Sequence, residues 1–313
     1  MAIEKQIWVN FIIANLFQNN RHLESCFRAD ENVVGGKIVH IPQAGAKPSV
    51  TKNRSSLPAT AVKRTDTDIV YVLNEFTTDP THIPNAEQVE LSYDKLESVL
   101  GEHIEAIREV IGDEIIVQWL EASSNANAAS NIAAATAIRT TGGSVGAHLP
   151  SATGNRKLMT KEDLKAARTL MNKQNIPQTD RFAIISSDLM DQLADDSDLK
   201  KRDNALELNL RTGELPTLYG FSLIERSTSA VFTNASTPVV KAVGAAAANT
   251  DNDSVVCYQR NALECALGEV DVFENIGDPQ YYGDIYSGLV RMGGRKRRAG
   301  AQGVVAIAQD SAT

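Results

Sequence analysis

Residues 94–121 read DKLESVLGEHIEAIREVIGDEIIVQWLE, and this stretch constrains the architecture more than any other part of the chain. Its large apolar residues recur at steps of three and four, which is the spacing of one face of an α-helix. Asp94 followed by Glu97 resembles a capping box at the start of that helix. A helix over these residues is roughly 40 Å long. Its apolar face consists of Leu96, Leu100, Ile104, Ile107, Ile111, Ile115 and Trp119.

Gly101 and Gly112 lie inside this helical pattern. Each costs about 1 kcal/mol relative to alanine in a helix interior. We therefore expect close packing against the helix at these two positions.

On the N-terminal side, the apolar run Ile7–Phe17 predicts an arm or short helix that packs against protein, since it is far shorter than the ~20 residues of a membrane span. Lys37–Ile41 alternates and is β-branched, which predicts a strand stopped by Pro42. Gln43–Asp68 is polar and has no core face, which is typical of a lid, a binding loop or an extended hairpin that reaches a neighbour. Strands are predicted at Ile69–Leu73 and Gln88–Leu91.

On the C-terminal side, a segment rich in Ala, Asn, Ser and Gly precedes alternating helices and strands. Thr160 with Asp163 caps a helix that ends before Pro177, and Ser187 is a candidate cap for the next helix. These two helices flank a short buried strand at Phe182–Ile185. Further strands are predicted at Phe221–Glu225, Val239–Val243, Val255–Tyr258, Tyr281–Met292 and Val304–Ala308, with a charged helix near Leu199–Leu210. Residues 122–155 are open between a loop, a weak helix around Asn131–Ile138, or both.

Composition places the 313-residue chain among soluble globular proteins, with 42% hydrophobic and 22% charged residues. The formal charge of −8 argues against a protein whose main task is neutralising nucleic-acid phosphates. The odd number of cysteines, without metal-ligand spacing, excludes a disulfide scaffold and a structural zinc site. Cys26, Cys257 and Cys265 are predicted to be buried thiols in a reducing compartment.

Catalytic motifs are almost absent from the sequence. Gly142–Gly146 fits the G-x-S-x-G pattern around Ser144, but a nucleophile elbow needs a strand before the serine and a helix after it. Neither flank has that pattern, so a flexible glycine loop is favoured. The five histidines are scattered, and the acidic clusters Asp195–Asp198 and Asp251–Asp253 lack the glycine and distal glutamate of a calcium loop.

A basic run, Arg295–Arg298, follows Arg291 near the C-terminus. It lacks interleaved aromatic residues, so a solvated strand end or a salt bridge to a partner is favoured over nucleic-acid binding.

The order of these features resembles the major capsid protein of tailed bacteriophages, whose α+β fold is named after phage HK97 and is shared with herpesviruses. Arg181–Ser186 and the helix after it are similar to the strand–helix entry of the family's axial domain. Leu218–Ser227 is similar to a frequent turn and strand. Asp278–Pro279 and Tyr282–Asp284 resemble the phrases that open the long returning strand.

The resemblance implies a division of the chain into parts, which we state as expectations. These are an N-terminal arm and first strand (1–42), an extended loop lying on a neighbouring subunit (43–68), a peripheral domain (69–122 and 268–300) with residues 94–121 as its spine helix, a connecting segment (123–159), and an axial α/β domain (160–267 and 301–313).

The same resemblance implies a structural protein without catalysis, metal or cofactor. Copies would assemble into hexamers and pentamers of an icosahedral head around double-stranded DNA, in the cytoplasm of a host bacterium, and end in the virion. Expected partners are other copies, a portal protein and, where used, a decoration protein and a scaffolding protein. The scaffold would be separate, since only about forty residues precede the extended loop. Candidate subunit-contact residues are Lys47, Lys52, Arg54, Lys63, Arg64, Arg291, Arg295, Arg297 and Arg298.

Three alternatives stay open at this point. An encapsulin-like compartment shares the fold but loads a cargo enzyme. A serine hydrolase would use Ser144. A nucleic-acid-binding module would use Arg295–Arg298.

Overall fold

The computed structural model describes residues 2–16, 20–45, 48–55, 58, 61–84, 95–120, 137–196, 217–235, 238–298 and 300–311. The strand predicted at Gln88–Leu91, the helix predicted near Leu199–Leu210 and the capping residue Asp94 lie outside these ranges.

Within them, the helices are α1 (Ala2–Leu16), α2 (Arg21–Glu24), α3 (Lys95–Leu120), α4 (Lys161–Lys173) and α5 (Ser187–Ala194). The strands are β1 (Phe27–Arg28), β2 (Val33–Val34), β3 (Ile38–Gln43), β4 (Thr67–Val72), β5 (Asn74–Thr77), β6 (Thr81–Pro84), β7 (Ala137–Arg139), β8 (Ser144–Gly146), β9 (Asn155–Lys157), β10 (Arg181–Ser186), β11 (Thr217–Leu218), β12 (Phe221–Arg226), β13 (Ser254–Gln259), β14 (Leu263–Asp278), β15 (Gly283–Lys296) and β16 (Val304–Ala308).

Helix α3 is the predicted long helix, and its apolar face is buried from Leu100 to Trp119. Ile111, Ile115 and Trp119 have no exposed surface. They share one hydrophobic core with Ile12 and Leu16 of α1 and with residues from two different sheets. Fully burying one such side chain contributes about 1.5–3 kcal/mol, so the predicted periodicity of this face accounts for the position of the helix.

A six-stranded sheet has the strand order β11-β12-β10-β13-β16-β7. Alternate residues along each strand point to opposite sides of the sheet. Both faces of this sheet are covered by a hydrophobic core. Val255 and Cys257 of β13 face a core that contains residues of α4 and α5. Val256 and Tyr258 face the core that contains α3.

A second sheet is built on the long antiparallel hairpin β14–β15. Its order is β1-β14-β15-β5, and β6 also pairs with β15. The expected border between residues 267 and 268 falls inside β14, whose pairing with β15 begins at Leu263. Smaller sheets join β2, β3 and β4, and β8 with β9.

Several local predictions are confirmed. The Asp163 carboxylate accepts the backbone N–H of Thr160 at 2.9 Å, which closes the N-terminal end of α4. Strands β10, β12, β13 and β16 lie where the sequence places them, and helix α1 contains most of the predicted run Ile7–Phe17 but begins earlier, at Ala2.

Other local predictions are wrong. Strand β3 continues through Pro42 to Gln43. The N-cap of α5 is Ser186 and not Ser187. Val239–Val243 forms only an isolated bridge from Val240 to Phe232. Residues 137–138 of the predicted weak helix belong to β7, while residues 131–136 lie outside the described ranges.

The junction between α2 and the middle of α3 is tightly packed. His22 Nε2 donates to the carbonyl of Gly112 at 3.1 Å, and Arg226 Nη1 donates to the same oxygen at 3.2 Å. A Cβ atom on Gly112 would lie 2.5 Å from Asn20 Oδ1, whereas one on Gly101 would meet nothing within 4 Å among the described residues. The expected close approach is therefore confirmed for Gly112 and wrong for Gly101.

These two glycines form a matched pair for mutation. Gly101→Ala should stabilise the purified chain by up to about 1 kcal/mol, because the helix gains a better helix former at no steric cost. Gly112→Ala should destabilise it by about 1–3 kcal/mol, because Asn20 and Arg226 must move. Urea unfolding followed by tryptophan fluorescence measures both, and equal effects of the same sign would contradict this packing.

Burial gives His22 an acid-sensitive role at the same junction. The residue has no exposed surface, and burial, assisted by the nearby charge of Arg226, lowers its pKa to about 3. In the unfolded chain a histidine has a pKa of about 6.5. The unfolded state therefore binds the extra proton first, and stability is lost as pH falls from about 6.5 towards 3.

His22→Gln keeps an N–H donor for Gly112 and removes this titration. Between pH 7 and pH 5 the variant should lose about 2 kcal/mol less unfolding free energy than the parent chain. Urea unfolding at the two pH values gives the difference. Identical pH slopes for parent and variant would show that His22 is not the titrating group.

Candidate assembly surfaces

Strands β3 and β4 form a hairpin whose pairing runs from Ile38–Val72 to Gln43–Thr67. The described residues between the two strands form no further strand and are exposed from 48 to 66. Next to the last pair of the ladder, the Gly45 N–H donates to Asp66 at 2.8 Å. We call residues 44–66 the extended loop.

All described residues of the extended loop are exposed except Gly45, which is half-buried. Val50 is 95% exposed and Val62 is 86% exposed. Exposed aliphatic side chains do not stabilise an isolated chain, because they remain in contact with water. Of the candidate contact residues, Lys52, Arg54, Lys63 and Arg64 are exposed here, and Arg64 pairs with Asp66 at 2.7 Å. Lys47 lies outside the described residues.

A second exposed surface is the end of the β14–β15 hairpin, residues 269–284, which we call the hairpin end; Val272 within it is buried. The hairpin end exposes four large side chains and holds five acidic residues with no lysine or arginine. The sequence interpretation placed Tyr281 in the returning strand, but residues 279–282 form the turn and β15 begins at Gly283. The turn signal Asp278–Pro279 could have revealed this surface. Its exposed large residues are Phe273, Ile276, Tyr281 and Tyr282.

The basic candidates at the other end of β15 are mostly internal. Arg291 forms ion pairs with Glu75 and Glu269, both at 2.8 Å. Arg295 and Lys296 are 3% and 2% exposed, so the expectation of a solvated strand end is wrong for both. Burial, with the neighbouring charge of Arg295, lowers the pKa of Lys296 to about 8. Arg298 is exposed.

These side chains are covered because β15 stays paired with β14 to its last residue, Lys296, and β4 lies beside it. Arg295 Nη1 donates to the Val70 carbonyl of β4 at 3.4 Å. The sequence of residues 295–298 alone could not show that β4, which is distant in sequence, packs against these side chains.

Glu264 is the buried acid at the base of the hairpin, and the sequence interpretation missed it. Its carboxylate lies 3.0 Å from Arg297 and accepts the Tyr71 hydroxyl at 3.2 Å. The Arg297 guanidinium also lies 4.0 Å from the centre of the Phe27 ring. Burial raises the pKa of Glu264, and Arg297 and Tyr71 act in the opposite direction. Arg297 is therefore held within its own chain.

The surroundings of Ser144 do not form a nucleophile elbow. Ser144 begins the short strand β8, which pairs with β9 in a small antiparallel hairpin and is not followed by a helix. The one serine, carboxylate and histidine group found among the described contacts lies elsewhere. Ser186 and His148 both bond to Asp253, the histidine at 3.0 Å. A catalytic serine would instead donate to the histidine.

Membrane-spanning helices and metal sites are both absent from the part of the chain that the structure describes. None of its helices combines the length and the apolar character needed to cross a bilayer. No three or more of its His, Cys, Asp and Glu side chains are grouped closely enough to ligate a metal ion.

Known proteins match this chain over most of its length. A family model described as phage capsid protein matches residues 10–309. No curated protein matches the sequence at a significant level.

Solved structures also match over most of the chain. The capsid of cyanophage P-SCSP1u is 16% identical, with a TM-score of 0.63, and the match covers 91% of this chain and 85% of the other. The capsid of cyanophage Pam1 is 12% identical, with a TM-score of 0.62 and coverage of 90% and 88%. A virus-like particle from Pyrococcus furiosus is 11% identical, with a TM-score of 0.52 and coverage of 97% and 99%. At these identities the likeness establishes the fold, which is the HK97-type capsid fold.

Substitution of the neighbours Arg297 and Arg298 should affect stability to very different extents. Arg297→Gln should lower the unfolding free energy by about 1–3 kcal/mol at pH 7.5, because Glu264 is left charged and buried. The loss should shrink at pH 5, because the unpaired carboxyl can then take up a proton. Arg298→Gln, at an exposed position, should change stability by less than about 0.5 kcal/mol.

Urea unfolding of both variants at the two pH values tests this assignment. A destabilised Arg298→Gln beside an unaffected Arg297→Gln would show that the buried pair is not at Glu264.

Proposed function

The chain belongs to the phage capsid protein family, and we propose that many copies of it form the hexamers and pentamers of an icosahedral phage head around double-stranded DNA. The observation that carries this proposal is the family match over residues 10–309 together with a capsid fold over nearly the whole chain. In this role the chain is structural and performs no catalysis, and its final location is the virion.

Each part of the fold has a proposed place in the shell. The unit around the six-stranded sheet is the axial domain, which packs around the centre of each ring of subunits. The β14–β15 hairpin and the spine helix α3 form the peripheral domain. If the two domains are divided by sheet membership, the border lies near Leu263, where β14 begins. Residues 1–42 remain the proposed arm and first strand, and residues 123–159 the connecting segment.

We infer that the extended loop is an intersubunit contact. Its valines are exposed to water in the isolated chain, so they do not stabilise that chain, and the described part of the loop does not pack on a hydrophobic core. Contacts of this kind are individually weak, but a closed shell makes many of them at once, which stabilises the assembly.

Charge identifies the surface on a second copy that the loop fits best. The extended loop holds five basic residues and one acidic residue, whereas the hairpin end holds five acidic and no basic residues. Both surfaces also expose large apolar side chains. Among the described residues, no hydrogen bond or ion pair joins the two surfaces within one chain, so we assign their contact to two copies. We propose that the extended loop of one copy lies on the hairpin end of its neighbour.

The acidic character of the chain suits a container for DNA. A formal charge of −8 keeps a shell wall from binding the genome tightly, since affinity for DNA depends on cationic contacts to phosphate. A portal protein is the proposed partner at the site of DNA entry. A separate scaffolding protein and a decoration protein are further proposed partners.

An encapsulin-like shell is the second candidate, and the likeness to the Pyrococcus particle favours keeping it. The two functions differ in what the shell encloses. Nuclease-protected DNA inside purified particles supports the phage head, and an enclosed enzyme supports the compartment.

The proposed loop contact predicts a specific charge dependence. Lys52→Glu with Lys63→Glu should reduce the yield of closed particles at least tenfold, because the loop then repels the acidic hairpin end. Glu274→Lys in the same chain should restore part of that yield. Sedimentation and negative-stain electron microscopy measure the yield, and circular dichroism confirms that the subunits are folded.

Lys165→Glu with Lys173→Glu is the matched control, since it changes the net charge equally at two exposed positions of α4. It should leave the particle yield within about twofold of the parent. Equal losses in both double variants, or no loss in the loop variant, would contradict the proposed contact.

A further inference from the structure

Two of the three cysteines meet in the core although they are 239 positions apart in the sequence. The sulfur atoms of Cys26 and Cys265 lie 2.6 Å apart, and neither residue has exposed surface. A disulfide has an S–S distance of about 2.05 Å, so a shift of roughly half an ångström would bring the sulfurs to bonding distance.

The backbone around the pair is held in register. Strand β1 runs parallel to β14, with Phe27 beside Glu264 and Arg28 beside Cys265. The Ala29 N–H donates to the Cys265 carbonyl at 2.9 Å. Both thiols also approach one acceptor, the Leu23 carbonyl, at 3.2 Å for Cys26 and 3.6 Å for Cys265. Two elements distant in sequence therefore hold the sulfur atoms together.

The two cysteines are buried, and Cys26 directly precedes the short strand β1. Strand β1 has two residues and stands at the edge of its sheet. Short edge elements open at lower free energy than the core strands of a fold. Local opening of residues 20–32 would therefore give a small oxidant access to both sulfurs without unfolding the β14–β15 hairpin.

Cys257 supplies an internal control. It is equally buried, but it belongs to the core that α4 and α5 cover, on the other face of the six-stranded sheet. Cys26 and Cys265 both belong to the core around α3. Chemistry that depends on sulfur proximity will distinguish the pair from Cys257, whereas chemistry that depends only on burial will not.

We propose that Cys26 and Cys265 form an intrachain disulfide when the protein leaves a reducing compartment, and that this bond fastens the N-terminal segment to strand β14. The oxidant is a small-molecule disulfide such as oxidised glutathione. One cysteine thiolate attacks it and releases one glutathione thiolate, forming a mixed disulfide. The second cysteine then attacks the protein sulfur and releases the second thiolate. Two protein thiols are oxidised, and one glutathione disulfide is reduced to two thiols.

The bond would close a very long loop, and long loops give the largest stabilisation in the chain-entropy model. It concerns the single chain, so it holds whether or not the chain forms a phage head. Because burial raises the pKa of the Cys26 thiol, little of the attacking thiolate is present, and oxidation of the folded chain should be slow.

The test compares the parent chain with Cys26→Ser, Cys265→Ser and Cys257→Ser after incubation with oxidised glutathione. Free thiols are counted in denaturant, and nonreducing peptide mapping by mass spectrometry identifies the linked residues. The parent should fall from three thiols to one, with a single cross-link between the peptides of Cys26 and Cys265. Its Tm should rise by at least about 5 °C and return on reduction.

Cys257→Ser should form the same cross-link and end with no free thiol, whereas neither of the other variants should form an intrachain cross-link. Three persisting thiols in the oxidised parent would overturn the proposal. So would separate glutathione adducts at each cysteine, a link to Cys257, or a disulfide between two chains. Mapping of the parent chain alone decides the question if a serine variant fails to fold.

Discussion

Burial of the apolar face of α3 against two sheets at once is the constraint on which the rest of the fold depends. Trp119 shows how this works. Its ring lies 5.6 Å from that of Tyr258 in the six-stranded sheet, and its indole N–H donates at 3.0 Å to the Glu264 carbonyl at the start of the long hairpin. Because one side chain fixes both sheets to the helix, the two halves of the molecule have a defined relation. Val272 of the hairpin end belongs to the core around α3, whereas the exposed residues of the hairpin end and the extended loop lie outside it.

The buried polar groups mark where distant segments are joined. Glu264, Arg297 and Tyr71 connect the base of the hairpin to β4, and β4 begins where the extended loop ends. A buried charge is tolerated only when it is paired, so this group specifies one arrangement of the three strands. The loop therefore leaves the body from a fixed base, as a contact repeated around a shell requires.

Local pattern carried much of the sequence prediction. The period-3.6 pattern predicted α3 because it reflects one buried face, whereas short apolar runs predicted β10 and β13, which are buried on both faces. The prediction that Pro42 ends the strand was wrong, because a proline interrupts a strand only where its missing N–H is needed for pairing. On one edge of β3, β2 pairs only with Ile38 and Val39, so no described strand needs a hydrogen bond from Pro42 on that edge. Burial of Arg295, and the approach of Cys26 to Cys265, depend on contacts far apart in the chain, which no single window of sequence contains. Exposure of the loop valines could be predicted, but their partner could not.

Cryo-electron microscopy of particles assembled from the purified chain, with any required scaffold, tests the central claim most directly. The account predicts closed shells of five- and six-subunit rings, with density for residues 48–64 of each subunit resting on residues 269–284 of an adjacent one. A chain that stays a monomer or dimer under every condition would contradict the shell-forming role. Closed shells with the loop elsewhere would retain that role and refute the contact.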